Sequence, residues 1–374
     1  MKIMHFADFH LDSAFSGFEK SASDQKRLEL RSCFSDAMRI AKERGVDLVL
    51  IPGDLFDTPF CTASTRKVVF DAITEVGCPV VIAPGNHDYF NKNGTYNDKS
   101  LPENAFVFTS SELGRFDFDD LGVSVIGYAF TSDRYEENPI TPDIPTSIEN
   151  MNILCAHGDL GLSFSKYAPL NANEIARCGF VYAALGHVHS PQEPTKIGNS
   201  VIAYSGFAQG RSFDETGRGG ALIVDIDRDS KRVEIERIPL SKMTYEIEKI
   251  DITSLSNDDD VIRAISSTVL ERGYDENTAL RVVLVGAIPS DYTPNEKTIV
   301  ADSSLSNLAL LQVKNECVSN FDLDYLKTDM SVRGEVYRKL LPLLDSADEK
   351  ERKKASLALK FALAALDKRE ISFD

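Results

Sequence analysis

The sequence predicts an α/β fold, on three observations. Apolar runs of strand length occupy residues 3–7, 46–51, 79–83, 152–156 and 181–185, the last four rich in aliphatic or β-branched residues. Helical stretches at 25–44 and 64–76 separate the first three runs, which is the alternation of a sheet with crossover helices. The third is where the polar residues fall: every run ends in a short cluster of acidic, amide or imidazole side chains. In chain order these are Asp8-Phe9-His10, Gly53-Asp54-Leu55-Phe56-Asp57, Gly85-Asn86-His87-Asp88, Ala156-His157-Gly158 and Gly186-His187-Val188-His189. Five of the six histidines lie in them.

The remaining elements follow in order. Residues 200–205, 219–227 and 231–240 read as consecutive strands, the last two joined by the turn Asp227-Arg228-Asp229-Ser230. A boundary near 240–243 closes a first domain, 1–240. A second, 243–320, opens with a strand at 244–250, continues with an acid-started helix at 258–272 capped by Ser256 or Asn257, and reaches a strand at 279–285. This is a small α+β unit. From about residue 330 to 374 the chain turns helical, with a stretch rich in Ala and Leu at 348–369.

Polar clusters at strand ends matter because open α/β sheets bind ligands at the carboxyl ends of their strands. The set combines carboxylates, one amide oxygen and imidazoles. The nearest thiol, Cys155, lies inside an apolar run. Such a mixture suits Mn²⁺, Fe or Zn²⁺ in a reactive site, whereas a structural zinc would favour cysteine. Gly53, Gly85 and Gly186 let the backbone turn sharply where the strands end. His5, inside the first run, is expected to be a core residue. Asp57 either helps cap the helix that begins near Thr62 or orients a metal ligand, and Asp88 reads as a turn residue or a support of the same kind.

The five blocks, in this order over residues 8–189, resemble the calcineurin-like metallophosphoesterases, whose pattern is D-x-H, G-D-x-x-D, G-N-H-D/E, H and G-H-x-H. The resemblance implies two mixed β-sheets packed face to face with helices outside, followed here by the cap unit and C-terminal helices. It also implies two divalent metal ions. One would be held by Asp8, His10, Asp54 and His189, the other by Asp54, Asn86, His157 and His187, with Asp54 bridging. His87 then remains as general acid or as a donor to charge developing on phosphorus, and two cations would clamp the attacking and leaving oxygens of an in-line displacement. The opening, His5 to Ser13, together with Gly53 to Asp57, is similar to the SbcD-type DNA-repair exonucleases, especially their YhaO-like bacterial branch. Asp12 stands where many SbcD-type proteins carry Gly. Thr58-Pro59 and Asp88 replace the Arg-Gly and Glu of the phosphoprotein phosphatases, which turns the reading away from that class.

Composition bears on substrate and location. The chain of 374 residues is 43% hydrophobic, enough for two domains and a sizeable core. No run approaches a membrane span, the amino terminus enters strand-like sequence at once, and six unpaired-looking cysteines suit a reducing cytosol, so a cytoplasmic enzyme is expected. Net charge is −17; residues 321–374 hold 11 basic and 11 acidic residues, so the first 320 carry the whole deficit. Duplex DNA is gripped by Lys and Arg, and no basic footprint is visible. Arg211, Arg218, Arg228, Lys231 and Arg232 form a loose basic run, interleaved with acids and read as solvated turn charges. The implied partners are therefore DNA ends as substrate and an SbcC-like coiled-coil ATPase that supplies the grip. The competing expectation is a small phosphoester or nucleotide substrate. The tail helix, with Leu359, Leu363 and Leu366 on one face and Leu357 and Phe361 on another, is expected to dock that ATPase or a second copy of the chain.

Overall fold

The computed structural model describes residues 1–16, 19–140, 144, 146–147, 149–289, 292–320 and 323–366. The chain divides into two compact units, Met1–Glu246 and Ile247–Asp374.

In the first unit, β1 (Lys2–His5), α1 (Lys20–Glu43), β2 (Leu48–Ile51), α2 (Ala63–Val76), β3 (Val80–Ile82) and β4 (Ala105–Val107) build a parallel run. Strand and helix alternate as the periodicity predicts. Helix α2 starts at Thr62, whose side chain accepts from the Thr65 amide, and stops at Gly77 with φ +81°. Helix α1 begins five residues before the expected Gln25. Its first turns are tied down by polar contacts, Ser23 Oγ to the Phe15 carbonyl and Arg27 to the Ser13 and Ala14 carbonyls, which apolar spacing does not reveal.

The chain then lays down β5 (Gly114–Phe118), β6 (Val123–Gly127), β7 (Met151–His157), the short pair β8 (Asp159–Leu160) and β9 (Pro169–Leu170), α3 (Ala172–Arg177), β10 (Tyr182–Gly186), β11 (Thr195–Ile197) and β12 (Ser200–Tyr204). Strands β13 (Gly220–Ile226) and β14 (Val233–Pro239) complete the unit, β13 pairing antiparallel with both β1 and β14. Two six-stranded mixed sheets result, ordered β14-β13-β1-β2-β3-β4 and β11-β12-β10-β7-β6-β5. The face-to-face architecture that the resemblance implies is present.

Strand alternation explains the layers. On β1 and β2, Ile3, Leu48 and Leu50 face a core shared with Val125, Ile153, Tyr182, Ala184 and Val201 of the second sheet. Their neighbours Met4, Val49 and Ile51 face the opposite way, onto Leu30, Phe34, Val69 and Ile73 of α1 and α2. A strand buried on both faces reads as a continuous apolar run. That is why these strands are legible and why their polar ends stand out.

The second unit contains most of β15 (Thr244–Asp251), then α4 (Asp258–Arg272), β16 (Thr278–Val285), β17 (Ala287–Pro289), α5 (Glu296–Val300), β18 (Leu310–Asn315) and β19 (Val318–Asn320). Asn257 is the cap of α4, accepting from the Asp260 amide ahead of three aspartates in the first turn. Helices α6 (Leu323–Thr328), α7 (Val332–Leu344) and α8 (Glu349–Leu366) follow, with Leu326, Tyr337, Leu359 and Leu363 packed in a small core of their own. Residues 367–369 of the Ala- and Leu-rich stretch lie outside the described residues. Among the described residues no helix is long and apolar enough to cross a membrane.

Candidate metal centre

The ends of β1, β2, β3, β7 and β10 bring the clusters together. The backbone there takes conformations that L-residues rarely adopt: Asp8 (φ +53°), His10 (φ +46°), Asp54 (φ +51°) and His187 (φ +104°) all have positive φ. Such geometry costs of order 1–3 kcal/mol per residue and gathers at functional sites. Gly85 is required by close approach, because a Cβ there would lie 2.3 Å from Asp54 Oδ1.

Ligand atoms of Asp8, His10, Asp54 and His189 lie within 4.8 Å of one another. Asp8, His10 and Asp54 are each about 1% exposed. His10 turns Nδ1 to Asp57 Oδ1 at 3.2 Å and His189 turns Nδ1 to Glu215 Oε1 at 2.8 Å, while their Nε2 atoms meet at 3.2 Å. Each outer carboxylate claims the Nδ1 proton. The Nε2 lone pairs therefore point into a space already occupied by two carboxylates, and such a donor set needs a positive charge at its centre.

The second set is partly assembled. His157 donates Nδ1–H to the Pro52 carbonyl at 3.0 Å, leaving Nε2 facing Asn86 Oδ1 at 2.9 Å and Asp54 Oδ2 at 3.5 Å. Two acceptors opposed at that distance again call for a cation. His187 stands beside His157, with ring centroids 5.1 Å apart, but its Nε2 lies 3.5 Å from Asp159 Oδ1 and its ring leans on Tyr167. Asp54 touches both sets, since His10 Nε2 and His157 Nε2 lie 3.6 and 3.5 Å from the same Oδ2.

His87 occupies a different position. Its ring is 46% exposed, its amide donates to Asp54 Oδ1 at 3.0 Å, and its Nδ1 lies 3.8 Å from Asp57 Oδ1. It forms with His10 and Asp57 a second close group, at the rim instead of the floor. Asp57 contacts His10, and Thr62 caps α2. Asp88 is fully buried and accepts from the amides of Asp54, Leu55, Phe56 and Gly85 and from the Tyr96 hydroxyl, so it shapes the loop that carries Asp54. His5 is held between the Tyr182 hydroxyl and the Leu185 carbonyl.

The titration behaviour fits a site built around positive charge. Burial raises Asp8 to about 6, reinforced by the Asp54 charge. Burial pushes Asp54 upward too, but the imidazoles of His157, His10 and His87 outweigh it and hold Asp54 near 2. Two carboxylates sharing one pocket are thus driven apart. Burial lowers His10 and His187 to about 4, keeping both neutral. Burial also opposes charge on His189, but Glu215 and Asp8 prevail and raise it.

Sequence reasoning misses four contributors. Glu215 and Arg211 lie 26 and 22 residues past His189, on a loop with no recognisable spacing. The expectation that Arg211 is a solvated turn charge is corrected: its side chain is 19% exposed and pairs with Glu215. Asp159 and Tyr96 are hidden similarly. Only Asp159 carries a signal, two residues after His157.

Residues 1–191, just over half the chain, match the calcineurin-like phosphoesterase family. The chain belongs to that family. Its members bind a dinuclear divalent metal centre, and the opposed lone pairs described above are suited to hold one. The protein is accordingly a metal-dependent phosphoesterase. It is similar to an uncharacterized metallophosphoesterase, YhaO, of Bacillus subtilis, with 27% identity over 301 residues covering 77% of this chain and 72% of the relative. The SbcD component of the nuclease SbcCD of Staphylococcus epidermidis is 28% identical over 259 residues, covering 61% of this chain and 67% of the relative. A DNA double-strand break repair protein of Aeropyrum pernix is 28% identical over 278 residues, covering 67% and 64%.

Proposed function

We propose that this chain hydrolyses phosphodiesters at DNA ends, in company with a coiled-coil ATPase. The observation that carries the reading is the pair of opposed acceptor sets sharing Asp54, which supports one cation on Asp8, His10, Asp54 and His189 and another on Asp54, Asn86, His157 and His187. Bound there, two divalent cations, Mn²⁺ in our reading with Fe or Zn²⁺ as alternatives, neutralise phosphate charge and lower the pKa of water. His87, at the rim and not on the floor, is placed to assist the leaving group. Asp57 and Asp88 keep His10 and the Asp54 loop in position. That relatives carry the names of a nuclease component and of a DNA double-strand break repair protein supports DNA as the substrate. The deficit of 17 charges argues that the grip on DNA comes from the partner.

The same acidity favours a second reading, a nucleotide or other small phosphoester as substrate. The deciding experiment gives the Mn²⁺-loaded protein labelled duplex DNA and a chromogenic phosphodiester in parallel, with and without a coiled-coil ATPase. End-dependent DNA cleavage that the ATPase stimulates supports the first reading. Rapid diester turnover with duplex and single-stranded DNA left intact moves the assignment to the second.

A further inference from the structure

We infer that Arg211 and Glu215 form a built-in strut that aims His189 at the metal centre, and that Arg211 does not clamp the substrate phosphate. This rests on His189 being a metal ligand, as proposed above.

An arginine beside a phosphoesterase centre invites the clamp reading, because a guanidinium fork matches phosphate. Here most of the fork is already engaged. Nε donates to both Glu215 oxygens at 3.1 and 3.2 Å, and Nη2 donates to Glu215 Oε1. Nη1 donates to Ser13 Oγ at 3.1 Å and lies 3.7 Å from Asp57 Oδ1. Ser13 can accept because its own hydroxyl proton goes to the His10 carbonyl at 2.8 Å. All three guanidinium nitrogens thus face protein acceptors.

Glu215 is the other half. Its side chain is 4% exposed, and its carboxylate accepts from His189 Nδ1–H at 2.8 Å and from the Arg211 amide at 2.8 Å. An unpaired carboxylate buried so deeply would be costly, and Arg211 supplies the countercharge. The strut therefore links the loop after β1, through Ser13, to the loop after β2, through Asp57, and to the loop after β10, through His189. Its chemical effect is to hold His189 with Nδ1 protonated and Nε2 turned toward Asp8 and His10. A histidine ligand without such a partner can rotate or adopt the wrong tautomer.

The test measures Mn²⁺ binding to the full chain by calorimetry and by the spin-resonance signal of the bound ion, beside a substrate titration. Glu215→Ala should weaken one of two ions by about 10–100-fold and spare the other. Glu215→Gln, which keeps an acceptor for Nδ1–H and the side-chain volume, should recover part of that loss and covers the case in which the alanine variant unfolds. Arg211→Ala should act in the same direction on the same ion. In a His189→Ala background, Glu215→Ala should add nothing, because the two act through one ligand. Losses that simply add, or a folded Glu215→Ala protein with unchanged affinity for both ions, overturn the strut. So does an Arg211→Ala variant that binds both ions normally but has a raised KM, which would restore the clamp. If His189→Ala itself leaves both ions in place, the ligand assignment beneath the strut fails with it.

Discussion

His10 and His189 present Nε2 atoms to each other across 3.2 Å while each commits Nδ1 to a separate carboxylate, Asp57 and Glu215. Two imidazoles oriented in this way repel unless a positive charge lies between them. A proton on His189 can serve before metal binds; in the working enzyme a divalent cation would. The same logic holds for His157 and Asn86, whose acceptors are 2.9 Å apart.

The first prediction is two bound transition-metal ions per chain. Asp54→Ala should lose most of both, because Asp54 Oδ2 lies 3.6 and 3.5 Å from an imidazole of each set. His189→Ala should weaken one ion and Asn86→Ala the other. Elemental analysis of metal-replete protein decides the matter, and a single equivalent in the unmutated chain removes the bridging assignment.

Metal affinity should rise with pH through about 6 and level only once His189, raised above its ordinary value, has also lost its proton. Asp8 holds its proton up to about 6 and His189 is shifted above its ordinary value, so below about pH 6 a cation must displace both protons. His10 and His187, lowered to about 4, offer no competition there. Calorimetric titration in buffers of different ionisation enthalpy should therefore register proton release near pH 6 that diminishes as the pH rises further. Release that is absent at the lower pH, or that grows as the pH rises, contradicts the assignment.

His87→Ala should keep its metals and lose about 10²–10³ in kcat, the usual cost of removing one charge-stabilising donor. The half-exposed ring and its contacts to Asp57, in place of the buried acceptor sets, separate it from the ligands. Near-normal turnover in a metal-replete variant would assign His87 a structural role.

These expectations trace to different depths of the sequence. The strands carrying the clusters are legible because burial on both faces makes them unbroken apolar runs, and polar residues immediately after such a run have few reasons to be there. Strands β4 and β5 do not stand out in the same way. Gly114–Phe118 alternates Arg and Asp with aromatic residues at a sheet edge, and Ala105–Val107 has only three residues. Within the site, side chains adjacent in sequence to a motif can be found from it. Those joined to it only through space cannot: Glu215 reaches His189, and Tyr96 reaches Asp88, by loop paths that no periodicity encodes. His187 marks a further limit, since the motif places it at a strand end but cannot show Asp159 beside it.

Asp12 supplies a prediction about stability. It sits at φ +68°, a conformation glycine adopts freely, yet its carboxylate accepts from the Thr62 amide at 2.7 Å and the Thr65 hydroxyl at 2.5 Å at the start of α2. Asp12→Ala loses the anchoring and keeps a Cβ in the left-handed region, and should cost about 1 kcal/mol. Asp12→Gly loses the same anchoring but relieves a backbone cost of roughly 1–2 kcal/mol, and should be closer to neutral. Urea melts of the two variants test this; equal destabilisation would mean that backbone conformation contributes nothing at this position.

The tail helix yields the last prediction. Leu359 and Leu363 of α8 are buried against Leu326 and Tyr337, whereas Leu357 is 51% and Leu366 42% exposed. The face expected to carry Leu359, Leu363 and Leu366 together is thus split, with Leu366 at the last described turn of the helix. Removing α8 after Asp345 would strip the cover from Tyr337 and confuse unfolding with loss of docking, so single substitutions are the better test. Leu363→Ala should cost about 2–5 kcal/mol of packing in this small helical core. Leu357→Glu should leave the fold and diester turnover unchanged, since its side chain already meets solvent, but should abolish association with a coiled-coil ATPase and the DNA-end processing that depends on it. A second copy of the chain as occupant would instead appear as a dimer, in gel filtration, that the same substitution dissociates. If Leu357→Glu retains both the ATPase complex and end processing and leaves the oligomeric state unaltered, the exposed face of α8 is surface and the docking proposal falls.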